Sequence, residues 1–141
     1  HVERAYNICP DLGVIAEVLA TSGKGGLETI SVEVGRPVKM MLAQRIEELD
    51  DIETKMPGSI LVEAKYDGER VQVHKLASGS VVLFSRRLDT ITLQFPDLVN
   101  AVSTYVTCKS CIIEGEILAM GEDGRPLAFQ TLRPTHAPSV P

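Results

Sequence analysis

The sequence predicts an α+β fold built around an antiparallel sheet. Several apolar or alternating segments follow one another with only short turn sequences between them, and the clearest helical stripe of the chain lies between two of these segments. No internal repeat is present. Because 44% of the 141 residues are hydrophobic and no apolar run reaches membrane-spanning length, we expect a soluble globular chain without a membrane segment.

The first half of the chain predicts helices and one strand. Apolar residues recur with helical spacing over 12–19, and the glycine-rich segment 21–26 ends this helix. Residues 30–34 alternate in the manner of a strand. Residues 42–49 have helical spacing again, and this helix is expected to end at the acidic pair that follows, because negative charge is unfavourable at a helix C-terminus. A turn is predicted over 56–59.

The second half is rich in strand signals. Strands are predicted over 60–66, 70–76 and 81–85, and the last two are joined by a plausible hairpin loop. A helix follows over 95–106, with a proline suited to its first turn. The final strand covers 111–119, and a glycine-bounded turn closes it. Strands with an interposed helix make α+β the predicted class.

Charge and cysteine content restrict the classes of function. With 14 Lys and Arg against 19 Asp and Glu, the net charge of −5 argues mildly against binding duplex DNA by charge alone. Three cysteines, Cys9, Cys108 and Cys111, cannot all pair in disulfides, and no signal peptide opens the chain, so the cytoplasm is the expected compartment. No second Cys or His pair accompanies Cys108 and Cys111, which are expected to be reduced thiols between a helix and a strand.

One stretch carries the residues best suited to chemistry. On the predicted strand, Glu63 and Lys65 share a face, and a turn at Asp67 and Gly68 then presents Arg70 at the head of the next strand. A deprotonated amine is a nucleophile, so Lys65 is a candidate for covalent catalysis. An ordinary ion pair on an edge strand, followed by an ordinary turn, explains the same residues.

Two further groups of charged residues call for partners. Glu114 and Glu116 lie on one face of an apolar strand, so a cationic or hydrogen-bonding group is expected to face them. Arg86 and Arg87 end another strand, where guanidinium groups suit phosphate recognition. We expect His74 to be a surface or sheet residue and not a base. Taken singly, each group is also compatible with a solvated surface.

A family resemblance joins these groups. Segment 65–70 reads Lys-Tyr-Asp-Gly-Glu-Arg and matches the Lys-x-Asp-Gly-x-Arg motif of the covalent nucleotidyltransferases, which include ATP-dependent DNA ligases, RNA ligases and capping enzymes. The flanking elements that support the match are Asp-Leu-Gly at 11–13, Val-Gly-Arg-Pro at 34–37, Met-Leu-Ala at 41–43, Phe-Ser-Arg-Arg at 84–87, Gln-Phe-Pro at 94–96, Glu-Gly-Glu-Ile at 114–117 and Phe-Gln at 129–130. In this order they resemble the replicative ATP-dependent DNA ligases of archaea over residues 5–132. The alternatives are an RNA ligase or capping-type enzyme and a non-catalytic nucleotide-binding or interaction module.

The resemblance implies a role for each candidate residue. Lys65 would attack the α-phosphate of ATP and carry AMP on its amine. Glu63 would reach the adenine edge, and Arg70 and Arg86 would contact ribose and phosphate groups. Glu116 would face the ribose or a metal ion, with Glu114 as the less favoured member of the pair. ATP and Mg²⁺ are therefore the implied cofactors.

The resemblance also implies a domain organisation and partners. Residues 1–22 would be the end of a helical DNA-binding domain, 23–36 a linker, and 37–141 the N-terminal part of a nucleotidyltransferase (adenylation) domain. The later family elements, a Lys-x-Lys motif and an OB-fold domain, do not follow, so we expect a fragment that cannot ligate DNA by itself. The implied partners are nicked duplex DNA and, through regions outside the chain, a sliding clamp. A monomer acting in replication, repair and recombination is expected.

Overall fold

The structure is a computed structural model that describes residues 1–128 and residue 131. Among these residues, β1 (Glu69–Lys75), β2 (Val81–Ser85) and β3 (Cys111–Ile117) form one antiparallel sheet in the order β2-β1-β3. The helices are α1 (Val2–Ile8), α2 (Leu12–Gly26), α3 (Asp51–Lys55) and α4 (Pro96–Tyr105), with 3₁₀ turns at Leu27–Thr29 and Thr92–Gln94. The predicted α+β class with an antiparallel sheet is confirmed.

One face of the sheet carries the main apolar core. Val71 and Val73 of β1 pair with Ser85 and Leu83 of β2, so the two valines and Leu83 point to the same side. Helix α4 covers this side; its first turn begins at a proline, as predicted. The core consists of Val71, Val73, Val81, Leu83, Ile91, Phe95 and Val102, with Leu98, Val99, Val106 and Ile117 packed against it.

The opposite face of β1 is polar but not open to solvent. Gln72 and His74 alternate with the valines, and their exposed fractions are only 1% and 0%. Segment 35–38 lies against them without forming a strand, and its Gly35 and Val38 amides donate to the two side chains. The sheet is therefore covered on both sides, by a helix on one and by an irregular segment on the other.

The N-terminal helices have a small core of their own. Ala5, Ile15 and Leu27 are buried together, and Tyr6, Val18 and Ile30 pack against them. The Asp11 carboxylate caps α2 by accepting the amides of Gly13 and Val14. The Lys39 amide donates to the Asn7 carbonyl at 3.0 Å, and the Lys39 ammonium lies 5.2 Å from the Tyr6 ring centre. These contacts join the helices to the segment that covers the sheet.

Three predicted elements are wrong. Residues 30–34 and 60–66 form no strand, because neither has a partner strand among residues 1–128, and alternation alone does not make a ladder. Residues 42–49 form no helix; α3 begins where that helix was expected to end. Acidic residues are favourable at a helix N-terminus, and the Asp51–Lys55 ion pair at 2.9 Å closes the turn of α3.

Several local predictions are confirmed. The 77–80 loop joins β1 to β2, with the Leu76 amide donating to the Ser80 carbonyl, and residues 121–124 form a turn.

Helix α2 does not end at residue 21; it kinks at Gly23, where φ is +62°, and continues to Gly26. Phe129, Gln130 and the proline-rich end at 133–141 lie outside the described residues. No helix in the described part of the chain has the length and hydropathy to cross a membrane.

Candidate functional site

A cleft of about 570 Å³ opens beside the ends of β1 and β3. Its walls come from five separate parts of the chain: segment 40–43, segment 63–66, the start of β1, the residue after β2, and the end of β3. The six residues that the family resemblance singled out line it, namely Glu63, Lys65, Arg70, Arg86, Glu114 and Glu116. These residues are up to 53 positions apart in the sequence, so only the fold brings them together.

The candidate nucleophile lies on an exposed segment rather than on a strand. Glu63 and Lys65 precede β1 in an irregular stretch, and both side chains are exposed at the cleft wall. The strand-parity argument that placed them on one face therefore does not apply, although both line the same cleft. An exposed amine beside guanidinium groups is accessible to an anionic substrate.

Gly68 brings this segment close to β3. Its amide donates to Glu116 Oε1 at 3.3 Å, and a Cβ atom at this position would lie 2.2 Å from the Ile117 carbonyl oxygen and 2.7 Å from Leu118 Cδ2. No other residue fits there without moving backbone. The glycine of the Lys-x-Asp-Gly-x-Arg segment is thus required by close approach, and it holds the chain just after Lys65 against the strand that carries Glu116.

Glu114 has the cationic partner that the sequence predicted for it. Arg70 Nη2 donates to Glu114 Oε2 at 2.5 Å, and Gln72 Nε2 donates to Oε1 at 2.6 Å. Partial burial raises the pKa of Glu114, but the hydrogen bonds from Gln72 and Arg70 and the charge of Arg70 outweigh this and leave the pKa below its usual value. Arg70 Nε is buried and has no hydrogen-bond partner among the described residues.

The two carboxylates therefore differ in what they can offer. Glu114 is engaged on both oxygens, whereas the hydrogen bond found for Glu116 within the described residues is the long one from Gly68. Mg²⁺ is commonly held by one or two carboxylates together with substrate phosphates. Within the described residues, no three His, Cys, Asp or Glu side chains form a group that could hold a metal alone. Glu116 fits Mg²⁺ only as one ligand beside a phosphate-bearing substrate.

A tight turn at the end of β2 presents Arg86. The Leu88 amide donates to the Ser85 carbonyl, and Leu88 itself has φ +70°, a conformation that costs a side-chain-bearing residue about 1–2 kcal/mol. The Ser85 hydroxyl accepts the amides of Arg87 and Asp89, both at 3.2 Å. The turn places Arg86 on the cleft, whereas Arg87 does not line it.

Sequence reasoning gave no role in the site to three of its contributors. Segment 40–43 supplies a wall although only the order Met-Leu-Ala marked it, and Gly68 acts through its missing side chain. Gln72 holds Glu114, and its signal was the alternation of polar residues with valines on a strand buried on both faces. His74 is a sheet residue, as one of the two expectations had it, but it is fully buried and not at the surface.

Comparison with known proteins identifies the family. A family model described as "ATP dependent DNA ligase domain" matches residues 40–140, well over half of the chain. The chain belongs to the ATP-dependent DNA ligase family. The matched region contains the whole three-stranded sheet and every residue that lines the cleft.

Two curated relatives with high identity to this chain are DNA ligases of archaea. The chain is 50% identical over 132 residues to a DNA ligase of Saccharolobus shibatae and 46% identical to one of Ignicoccus hospitalis, matches that cover 93% of this chain and 22% of each relative. The chain thus spans about a fifth of the length of these relatives. A crystal structure of the ligase domain of LigD from M. tuberculosis matches with a TM-score of 0.42 and 26% identity, covering 50% of this chain and 22% of that one.

Proposed function

We propose that this chain is the nucleotide-binding part of an ATP-dependent DNA ligase, which seals nicks in duplex DNA through a covalent lysine–AMP intermediate. The observation that supports this most strongly is that six charged residues from distant segments line one cleft. The chain spans 22% of its relatives, so nick sealing is proposed for a longer polypeptide. Residues 1–22 as the end of a DNA-binding domain, 23–36 as a linker and 37–141 as part of the adenylation domain belong to the same proposal.

In the proposed first step, Lys65 is the nucleophile. Its Nζ attacks the α-phosphorus of ATP, a P–N bond forms, the P–O bond to pyrophosphate breaks, and the amine loses its proton to solvent. The exposed position of Lys65 supports this role, because the amine is free to reach a substrate in the cleft. AMP then passes to the 5′-phosphate at the nick, and the 3′-hydroxyl displaces it.

The remaining residues bind and orient the nucleotide in this proposal. Glu63 contacts the adenine edge, and Arg70 and Arg86 contact ribose and phosphate groups. Arg70 Nε, which has no acceptor within residues 1–128, supports this role, since a buried donor without an acceptor costs about 1–3 kcal/mol until an oxygen reaches it. Glu116 faces the ribose or is one ligand of Mg²⁺, which neutralises phosphate charge when bound.

Membership of the family supports a proposal about partners and setting. We propose nicked duplex DNA as the substrate and a sliding clamp as a partner of regions outside this chain. We propose that the longer polypeptide is a monomeric, cytoplasmic enzyme that acts in replication, repair and recombination. The net charge of −5 is compatible with this, because a 22% share of the relatives' length need not carry their DNA-binding charge.

A labelling experiment tests the nucleophile. The 141-residue chain, and a Saccharolobus shibatae ligase in which it replaces the matching 132 residues, are incubated with α-labelled ATP and Mg²⁺. We expect a covalent label on the chimera that Lys65→Ala abolishes and that the matched change Lys109→Ala, at an exposed lysine outside the cleft, leaves intact. A folded chimera that takes no label, or a label that survives Lys65→Ala, would contradict the proposal.

A second pair of variants tests the phosphate contacts. Arg86 and Arg87 are adjacent and both exposed, but only Arg86 lines the cleft. In the chimera, Arg86→Ala should raise the ATP concentration needed for half-maximal labelling by at least tenfold, the loss expected for a charge-assisted hydrogen bond. Arg87→Ala should change it by less than twofold. Equal effects of the two substitutions would refute the assignment of Arg86.

A further inference from the structure

Beneath the cleft, buried polar groups form one continuous chain of hydrogen bonds. The Gly35 amide donates to His74 Nδ1 at 2.8 Å, and His74 Nε2 lies 2.8 Å from Gln72 Oε1. The Val38 amide also donates to Gln72 Oε1 at 2.8 Å. On the other side of the amide group, Gln72 Nε2 donates to the Val38 carbonyl at 3.3 Å and to Glu114 Oε1 at 2.6 Å.

The protonation state and orientation of each member are determined by these contacts. An amide N–H can only donate, so Nδ1 of His74 must accept and the single ring proton of the neutral imidazole lies on Nε2. Burial lowers the pKa of His74, which favours this neutral form. The Nε2 proton is then donated to Gln72 Oε1, and the amide of Gln72 can adopt only one of its two flips.

Neither side chain touches the cleft itself. Gln72 and His74 are absent from its lining, whereas segment 40–43, Arg70 and Glu114 belong to it. The chain of hydrogen bonds reaches the cleft in two ways. Through Gly35 and Val38 it fastens the segment that runs directly into the 40–43 wall, and through Glu114 it holds the carboxylate that binds Arg70.

We propose that Gln72 and His74 are positioning residues of the nucleotide site: they fasten segment 35–43 to the sheet and set the orientation of the Glu114–Arg70 pair. The role of the two residues in nucleotide binding rests on the proposed function, whereas the hydrogen-exchange test of their contacts does not. An apolar pair would fill the same interior space. A polar pair with all its hydrogen bonds made instead fixes how the irregular segment aligns with the sheet. The segment has no backbone ladder of its own that could fix this alignment.

The test measures amide hydrogen exchange and ring ¹⁵N shifts in the 141-residue chain, without nucleotide. Gln72→Met removes the polar atoms at similar volume, so the Val38 amide loses its acceptor and should exchange about tenfold faster, the effect of losing one buried hydrogen bond. Val71 and Val73 amides of β1 should keep their exchange rates. Val73→Ala is the control, because it weakens the core on the opposite face and should accelerate sheet amides generally.

Two substitutions of His74 test its two ring nitrogens separately. His74→Asn keeps an acceptor where Nδ1 lies, so the Gly35 amide should stay protected. His74→Gln keeps a donor near the position of Nε2 but no acceptor at Nδ1, so the Gly35 amide should lose protection. The Val38 amide keeps its acceptor, Gln72 Oε1, and should stay protected in both variants. The His74 ring of the unsubstituted chain should show one protonated and one unprotonated nitrogen, with the proton on Nε2, and Gln72→Met should shift the Nε2 signal.

The nucleotide arm separates this inference from the proposed function. Titration with ATP and Mg²⁺, followed by amide shifts of the cleft residues, should show at least fivefold weaker binding for Gln72→Met and unchanged binding for Val73→Ala below its melting temperature. A proton on Nδ1 of His74, or equal acceleration of all sheet amides by Gln72→Met and Val73→Ala, would overturn the positioning role. If the exchange pattern holds but the unsubstituted chimera neither binds nor is labelled by ATP, the proposed function fails and the structural device stands.

Discussion

Replacing Gly68 by alanine should damage the site through the backbone alone. The added Cβ would lie 2.2 Å from the Ile117 carbonyl oxygen, 2.7 Å from Leu118 Cδ2 and 2.9 Å from Glu116 Cγ. Relief to an ordinary contact of about 3.5 Å requires a shift of about 1.3 Å between two backbone segments. The first pair of the β1–β3 ladder, Glu69 with Ile117, adjoins this contact and must open.

The cost can be estimated from the same geometry. Forcing a methyl group into a packed position costs about 1–3 kcal/mol of the free energy of unfolding. At roughly 4 °C per kcal/mol for a chain of this size, the melting temperature should fall by about 4–12 °C. Because the Gly68 amide also donates to Glu116, the change should reduce AMP labelling of the chimera even at temperatures where it remains folded.

Gly115 provides a matched control on the neighbouring strand. It lies opposite Val71 in β3, and a Cβ atom there would meet nothing within 4 Å. Gly115→Ala should therefore be neutral or stabilise the chain by about 0.5–1 kcal/mol, the usual gain when glycine is replaced within a strand. Thermal and urea unfolding followed by circular dichroism measure both variants. Equal stability of Gly68→Ala and Gly115→Ala would refute the close-approach argument.

Three further predictions concern the surroundings of the cleft. Because the pKa of folded Glu114 is lowered, its contribution to stability is present above the usual glutamate pKa and is lost as the pH falls through the lowered value. In urea unfolding from pH 6 to 3, the free energy of unfolding should therefore fall less steeply for Glu114→Gln than for the exposed control Glu122→Gln, and identical slopes would contradict this. Ser85→Ala removes the acceptor of two turn amides and should lower the free energy of unfolding in urea by about 1–2 kcal/mol. Ser78→Ala in the exposed hairpin loop should lower it by less than about 0.5 kcal/mol, and the reverse order would show that the Ser85 hydroxyl does not hold the turn. The exposed thiol of Cys108 should be alkylated before Cys111, whose pKa is raised by its hydrogen bond with Cys108 and by burial, and buried Cys9 should react last. Mass spectrometry of timed iodoacetamide samples gives the order, and early modification of Cys9 would contradict the burial of α1 against α2.

Predictions from the sequence succeeded where the signal was local. The β1–β2 hairpin combines alternating residues with a turn sequence, and α4 combines an apolar stripe with a proline in its first turn, so each needs little from the rest of the chain. The helix expected over 42–49 and the strand expected over 60–66 failed because their patterns say nothing about partners. Both segments instead lie as irregular, largely exposed chain beside the cleft.

The amino-acid sequence by itself determined the fold class, the family and the identity of the charged residues in the cleft, because a motif and its flanking order are properties of the chain in one dimension. Only the tertiary structure decided which carboxylate is engaged: Glu114 has bonds from Arg70 and Gln72 on both oxygens, while Glu116 receives one long bond from Gly68. It alone showed His74 and Gln72 buried beneath segment 35–38. The physical reason is that burial and hydrogen-bond geometry depend here on residues more than 30 positions apart in the sequence. A local sequence pattern does not show which of these distant residues come into contact.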